Sequence, residues 1–153
     1  MLNPADPVFL ADLAAQVPEG CLRQPEPRDL EEPRGRWQGM AGAVARPRST
    51  AEVAQIVRLC ASARVGIVPM GGGTGLVGGQ IMERGTVPLI LSLERMAALR
   101  AAYPSENALV VEAGMVVATA QAEAKKIDRL FPLSLASEGS ARVGGCWPPM
   151  PVG

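Results

Sequence analysis

The 153-residue chain contains no histidine. That absence removes the commonest general base, proton shuttle and metal ligand together, so no metal site and no catalytic residue are expected in it. Fifteen basic side chains balance fifteen acidic ones; without a basic field, neither nucleic acid nor anionic lipid is an expected partner. Nowhere does an apolar run reach the length of about 18 residues that a membrane span needs, and the first ten residues have neither the basic start nor the apolar core of a signal peptide. Cysteine is scarce and odd in number. Cys21, Cys60 and Cys146 form no C-x-x-C pair and no metal-like spacing, which points to unpaired thiols in a reducing, cytoplasmic setting. What remains is 48% hydrophobic residues, enough for the core of one domain.

The spacing of Val8, Leu10, Leu13, Ala14 and Val17 predicts a helix over 3–17, with Asp6 placed to cap it and Pro7 in its first turn. Residues 18–38 are rich in proline and charge and show neither period, so they read as an extended, solvated lead-in from which a single arginine could reach a carboxylate. Ala43-Val44-Ala45 is a brief strand. Ser49-Thr50-Ala51-Glu52 then matches a capping box, and Val53, Ile56, Val57, Leu59, Cys60 and Ala63 follow at helical spacing until Gly66. Cys60 falls on the apolar face, as a core thiol rather than a nucleophile. Strands are expected near 43–46, 66–69, 87–92 and 108–113 in one small sheet, and a second helix over 116–130.

Between two of those strands lies Pro69-Met70-Gly71-Gly72-Gly73-Thr74-Gly75-Leu76-Val77-Gly78-Gly79, with six glycines in eleven residues. Glycine reaches positive φ cheaply and lets a ligand approach the backbone, so such a segment can turn its amides inward as a nest for a phosphate ester. A glycine-rich structural hairpin is the bland alternative, but hairpin turns need only one or two glycines. The Walker A pattern fails because no Lys-Ser or Lys-Thr pair follows. Gly73-Thr74-Gly75-Leu76-Val77-Gly78 matches the letters of the dinucleotide fingerprint G-x-G-x-x-G, yet 79–86 is too short and too poor in helix formers to supply the helix that motif requires.

Residues 42–145 resemble the FAD-binding domain of p-cresol methylhydroxylase and vanillyl-alcohol oxidase. The likeness rests on Arg46-Pro47 with the Ser49 helix start, on 68–79, on Glu112-Ala113-Gly114, and on Phe131-Pro132-Leu133 running into Gly144-Gly145. Within that superfamily the chain is most similar to the FAD-linked 2-hydroxyacid dehydrogenases acting on D-2-hydroxyglutarate, D-lactate or glycolate. The 134–140 wording favours the first. The resemblance implies an incomplete α+β domain of that type and FAD as cofactor. Gly71, Gly72, Gly73, Thr74 and Gly75 would give backbone amides to the diphosphate, Thr74 adding its hydroxyl. Ser137, Gly139, Ser140, Gly144 and Gly145 would line the ribityl and ring side, and Pro69, Leu76, Gly78, Gly79 and Pro132 complete the implied cofactor-binding set. Met70 stands where a polar residue is expected, and plain loop serines remain the alternative for Ser137 and Ser140. Substrate, a small 2-hydroxyacid, would meet only a full-length parent.

The expected division is a lead-in over 1–38, a partial FAD-binding domain over 39–145 and an aberrant tail over 146–153. The resemblance implies that Gly144-Gly145 should continue as Asn-Leu-Ala-Thr-Asn-Ala-Gly-Gly. The observed Cys146-Trp147-Pro148-Pro149-Met150-Pro151-Val152-Gly153 can be written TGC TGG CCA CCA ATG CCG GTG GGG. Read from the last base of its first codon, that string gives Leu-Ala-Thr-Asn-Ala-Gly-Gly, so a frameshift near codon 146 is expected. The competing expectation is a non-catalytic truncated product with weak or no nucleotide binding.

Overall fold

A computed structural model describes residues 1–146; the stretch 147–153 of the expected out-of-frame tail lies outside the described residues. The first helix, α1 (Pro7–Ala14), starts where Asp6 accepts the Phe9 amide at 2.9 Å. It ends earlier than its apolar pattern reaches, and of that pattern Leu13 is buried while Val8 is exposed. A two-residue strand, β1 (Leu22–Arg23), and a single helical turn, α2 (Pro27–Leu30), follow inside the segment expected to be an extended, solvated lead-in.

The central unit is β2 (Ala43–Ala45), α3 (Thr50–Ala63), β3 (Ile67–Met70) and β4 (Leu89–Ser92), assembled in the order β1-β2-β4-β3. β4 pairs parallel with both β2 and β3, Ile90 standing opposite Val44 on one side and Val68 on the other, and β1 adds antiparallel to β2. Pro69 is accommodated because β3 is an edge strand, and Pro88 because it immediately precedes β4. Alternation divides the strands between two cores. Ala43, Ala45, Leu89 and Leu91 pack with Leu13, Ile56 and Cys60; Val44, Ile90, Val68 and Met70 pack on the other face with Leu30, Ala41 and Met82. With both faces covered, β2 and β4 are buried along their whole length, as continuous apolar runs in a parallel sheet should be.

α3 begins as its sequence demands, Ser49 Oγ accepting the Glu52 amide at 3.2 Å. Its carboxylate partner reaches one residue further back than a capping box requires, Glu52 Oε2 accepting the Arg48 amide at 2.8 Å. The helix stops at Ala63 because Arg64 turns left-handed, φ 55°, so the expected terminator Gly66 is not the residue that ends it. Ile56 and Cys60 are fully buried, but Val57 is 42% exposed.

The expected fourth strand of the sheet pairs elsewhere. β6 (Ala108–Val111) forms a separate antiparallel hairpin with β5 (Leu99–Tyr103), a strand the periodicity did not reveal because it carries Arg100 followed by two alanines and is half exposed. The place at the sheet edge is taken by β1. The last helix, α4 (Val117–Lys126), is shorter than the expected 116–130; its chain exit passes through Asp128 at φ 56°.

Candidate functional site

The glycine loop leaves the carboxyl end of β3 immediately after Met70, whose side chain is buried in the second core. No helix or strand forms between Gly71 and Pro88, which removes the dinucleotide-fingerprint reading. Gly73 and Gly78 adopt φ +70° and +72°, the left-handed region where a side chain is strained. Among the described residues, no oxygen accepts a hydrogen bond from any backbone amide between Gly71 and Gln80. Three of the carbonyls, by contrast, are tied down. Gln80 Nε2 donates to Gly73 O at 3.3 Å and to Gly75 O at 3.0 Å, and Ile81 N donates to Gly78 O at 2.9 Å. A loop held by the Gly73, Gly75 and Gly78 carbonyls, with its N–H groups unspent, is a ready acceptor of anionic oxygens.

A second wall stands beside it. The 141–144 backbone is laced to 113–117 by Val117 N to Ala141 O, Val143 N to Met115 O and Gly144 N to Ala113 O, at 2.8–2.9 Å. Close approach makes these glycines obligatory: a Cβ on Gly114 would sit 1.8 Å from Leu93 O, and one on Gly144 2.7 Å from Ala113 Cβ. The two walls meet at Gly72, where a Cβ would stand 2.1 Å from Ser140 O. Cavities open on either side of the loop. The larger, about 730 Å³, is bounded by Met70 to Thr74, by Gly139, Ser140 and Arg142, by Val116, Ser92 and Glu94, and by 28–35 of the lead-in. The smaller, about 230 Å³, lies between Pro69, the loop residues Gly71 to Gly75, Gly79, Gln80 and the 141–146 segment.

The charged residues around the larger cavity are not simply a solvated face. Asp29 and Glu32 are buried. Burial opposes ionisation of Asp29, but the Arg23 guanidinium and the Glu26 amide outweigh it and hold the carboxyl below its ordinary range. The same pairing raises Arg23 further. Glu94 pairs with Arg46 at 3.3 Å. Glu32 accepts the Arg36 amide at 3.2 Å and closes the turn there. Away from the site, burial pushes the Cys60 thiol up to about 11 and raises Cys21 as well; both are free core thiols, and the half-buried Cys146 is also free.

Of the residues singled out from sequence, Gly71, Gly72, Gly73, Thr74, Gly139 and Ser140 border the larger cavity, and Pro69, Gly75, Gly79 and Gly145 border the smaller. Gly78 packs instead against the Trp37 ring, where a Cβ would lie 3.2 Å from Cδ2. Leu76 and Pro132 are exposed, and the Ser137 carbonyl accepts the Ser140 and Ala141 amides to make a turn. Neither these three nor Gly144 borders the two cavities. Three contributors were overlooked. Gln80 is signalled only as the carboxamide that closes a run without polar side chains other than Thr74, Arg142 as the cation among small residues, and 28–35 by Pro33 and Gly35 turning the chain back.

Two neighbours among solved structures share this architecture. Alkyldihydroxyacetonephosphate synthase superposes with a TM-score of 0.76 at 21% identity over 94% of this chain and 28% of that one. Phl p 4, a grass pollen allergen with glucose dehydrogenase activity, superposes at 0.74 with 16% identity over 90% and 30%. The α+β fold is therefore that of the oxidase FAD-binding domains. Residues 41–147 match the family model described as FAD binding domain, and the chain belongs to that family, with FAD as its cofactor. Curated relatives include D-2-hydroxyglutarate dehydrogenase of Xanthomonas citri pv. viticola, 36% identical over 92% of this chain and 30% of that protein. The mitochondrial D-2-hydroxyglutarate dehydrogenase of Bos taurus is 33% identical over 89% and 25%. The chain thus spans between a quarter and a third of the length of these relatives. The residues present fit the cofactor: the loop offers unspent amides beside a cavity in the range of roughly 300–1,000 Å³ usual for such ligands. Among the described residues, no helix is long and apolar enough to cross a membrane.

Proposed function

We propose that the chain forms the diphosphate-holding part of the FAD site in a dehydrogenase that oxidises a D-2-hydroxyacid, of the D-2-hydroxyglutarate, D-lactate or glycolate type. The observation that carries this reading is the row of amides from Gly71 to Gln80 that meet no acceptor among the described residues, beside the Gly73 and Gly75 carbonyls held by Gln80. Gly71, Gly72, Gly73 and Gly75 donate backbone N–H groups to the diphosphate and Thr74 adds its hydroxyl. Pro69, Leu76, Gly78 and Gly79 shape that loop. Pro132, Ser137, Gly139, Ser140, Gly144 and Gly145 line the ribityl and ring side, where small residues and hydroxyls suit a flat ring and its polyol. Bound FAD supplies the acceptor for substrate hydride at flavin N5. The protein's share is to hold, orient and shield, and no base is assigned within this chain. The names of the relatives support the substrate class, and the unpaired thiols support a cytoplasmic compartment.

The domain division 1–38, 39–145 and 146–153, with the last segment read out of frame, is part of the same proposal; resequencing the locus across that segment decides it. Gly73→Val tests the site itself. Valine at φ +70° must distort the loop, so the variant should lose FAD while keeping its far-ultraviolet circular dichroism. Stoichiometric FAD in the folded variant would dismiss the loop as the diphosphate site.

A further inference from the structure

Arg142 is a charged residue of the cavity wall that the fold leaves without a countercharge. Of the charged residues around it, Arg28 pairs with Glu26 at 2.9 Å, Asp29 with Arg23, and Glu94 with Arg46, while Glu31 and the buried Glu32 have no cationic partner among the described residues. Among the described residues Arg142 forms no ion pair, and its guanidinium makes one hydrogen bond, from Nη1 to the Gly114 carbonyl. Its Nε is buried with no acceptor. A half-buried guanidinium so placed has given up hydration for one neutral acceptor and no countercharge, a cost that a ligand anion would offset.

The position says which anion. Arg142 borders both cavities flanking the glycine loop, and its Cβ is 4.0 Å from where a Cβ on Gly71 would stand. Its backbone is fixed by the hydrogen bonds on either side, Val117 N to Ala141 O and Val143 N to Met115 O. A fixed cation and a row of unspent amides therefore share one corner. We infer that Arg142 is a positioning residue for the cofactor diphosphate, giving a charge-assisted hydrogen bond to one phosphate while the Gly71 to Thr74 amides hold the group from the loop side. The inference rests on the proposed FAD reading and adds to it a side chain that discriminates phosphorylated from unphosphorylated ligands.

Isothermal titration of the purified chain with FAD and with ADP, at low and high salt, tests it on wild type, Arg142→Gln, Arg142→Lys and Gly73→Val. Arg142→Gln should weaken both ligands by roughly ten- to hundredfold, the size of one lost charge-assisted bond. It should also flatten the salt dependence of binding, and Arg142→Lys should recover part of both losses. Unchanged affinity in Arg142→Gln overturns the inference; if Gly73→Val still loses FAD, the loop reading stands without it. A collapsed thermal midpoint in Arg142→Gln, or an equal loss in Arg142→Lys, assigns Arg142 a structural role and also overturns it. If wild type binds neither ligand, the inference and the FAD reading fall together.

Discussion

β4 has a ladder partner on each side and apolar packing on each face, whereas immediately beyond its neighbour β3 the chain runs from Gly71 to Gln80 with no amide spent among the described residues. The change occurs between Met70, which is core, and Gly71, which is exposed. Both regions depend on close approach, but of different kinds. In the sheet, side chains fill space and the backbone is satisfied internally; in the loop, the absence of side chains brings backbone against backbone and leaves donors for a ligand. Stability and binding should therefore separate by region when each is damaged.

The largest effect is expected in the core. Ile56→Ala removes a fully buried side chain between α3 and the sheet and should cost about 2–5 kcal/mol. Urea titration reads that loss, and FAD affinity of the protein that remains folded should be little altered. Next comes the seam between the two walls. Gly72→Ala places a methyl 2.1 Å from the Ser140 carbonyl oxygen, so the walls must part at a cost of about 1–3 kcal/mol. Here thermal midpoint and FAD affinity should fall together, which no core substitution should reproduce.

Gln80→Ala separates the two properties the other way. It frees the Gly73 and Gly75 carbonyls, and the loosened loop should lose about 1 kcal/mol of FAD binding per hydrogen bond removed, with a smaller change in unfolding midpoint. Fluorescence titration of FAD alongside a melting curve checks both. The smallest effect is alkaline. Burial lifts the Cys60 thiol from 9.0 to about 11, so the folded chain keeps that proton to higher pH than the unfolded chain does. Its stabilising contribution is complete below the unfolded value and is lost as pH rises through that window. Cys21 acts in the same direction. Denaturation midpoints in that window should decline less steeply in Cys60→Ala.

Elements governed by local chemistry were legible in the sequence. The Asp6 and Ser49 caps, the apolar runs of β2 and β4, and the strand end before Gly71 all declare themselves through neighbours in the chain. What escaped depends on distant partners. β1 exists because Leu22 and Arg23 lie against Ala45 and Val44, and Asp29 is buried because Arg23 pairs with it; neither fact is written in the local pattern of a proline-rich, charged stretch. β6 reads as one more strand, but only the Leu99–Tyr103 partner shows that it leaves the main sheet. The glycine loop announced that its backbone would be exposed. Which side chains would discipline it, Gln80 from within and Arg142 from across the seam, required the fold.

The most direct measurement follows the loop amides themselves. In a ¹⁵N-labelled chain titrated with ADP and then FAD, the resonances of Gly71 to Gly75 should move with both ligands and saturate at one equivalent, since each N–H exchanges water for a phosphate oxygen. The β4 amides, already paired in the ladder, should move far less. Saturable FAD binding with the Gly71 to Gly75 resonances unmoved would contradict the assignment of this loop as the diphosphate cradle.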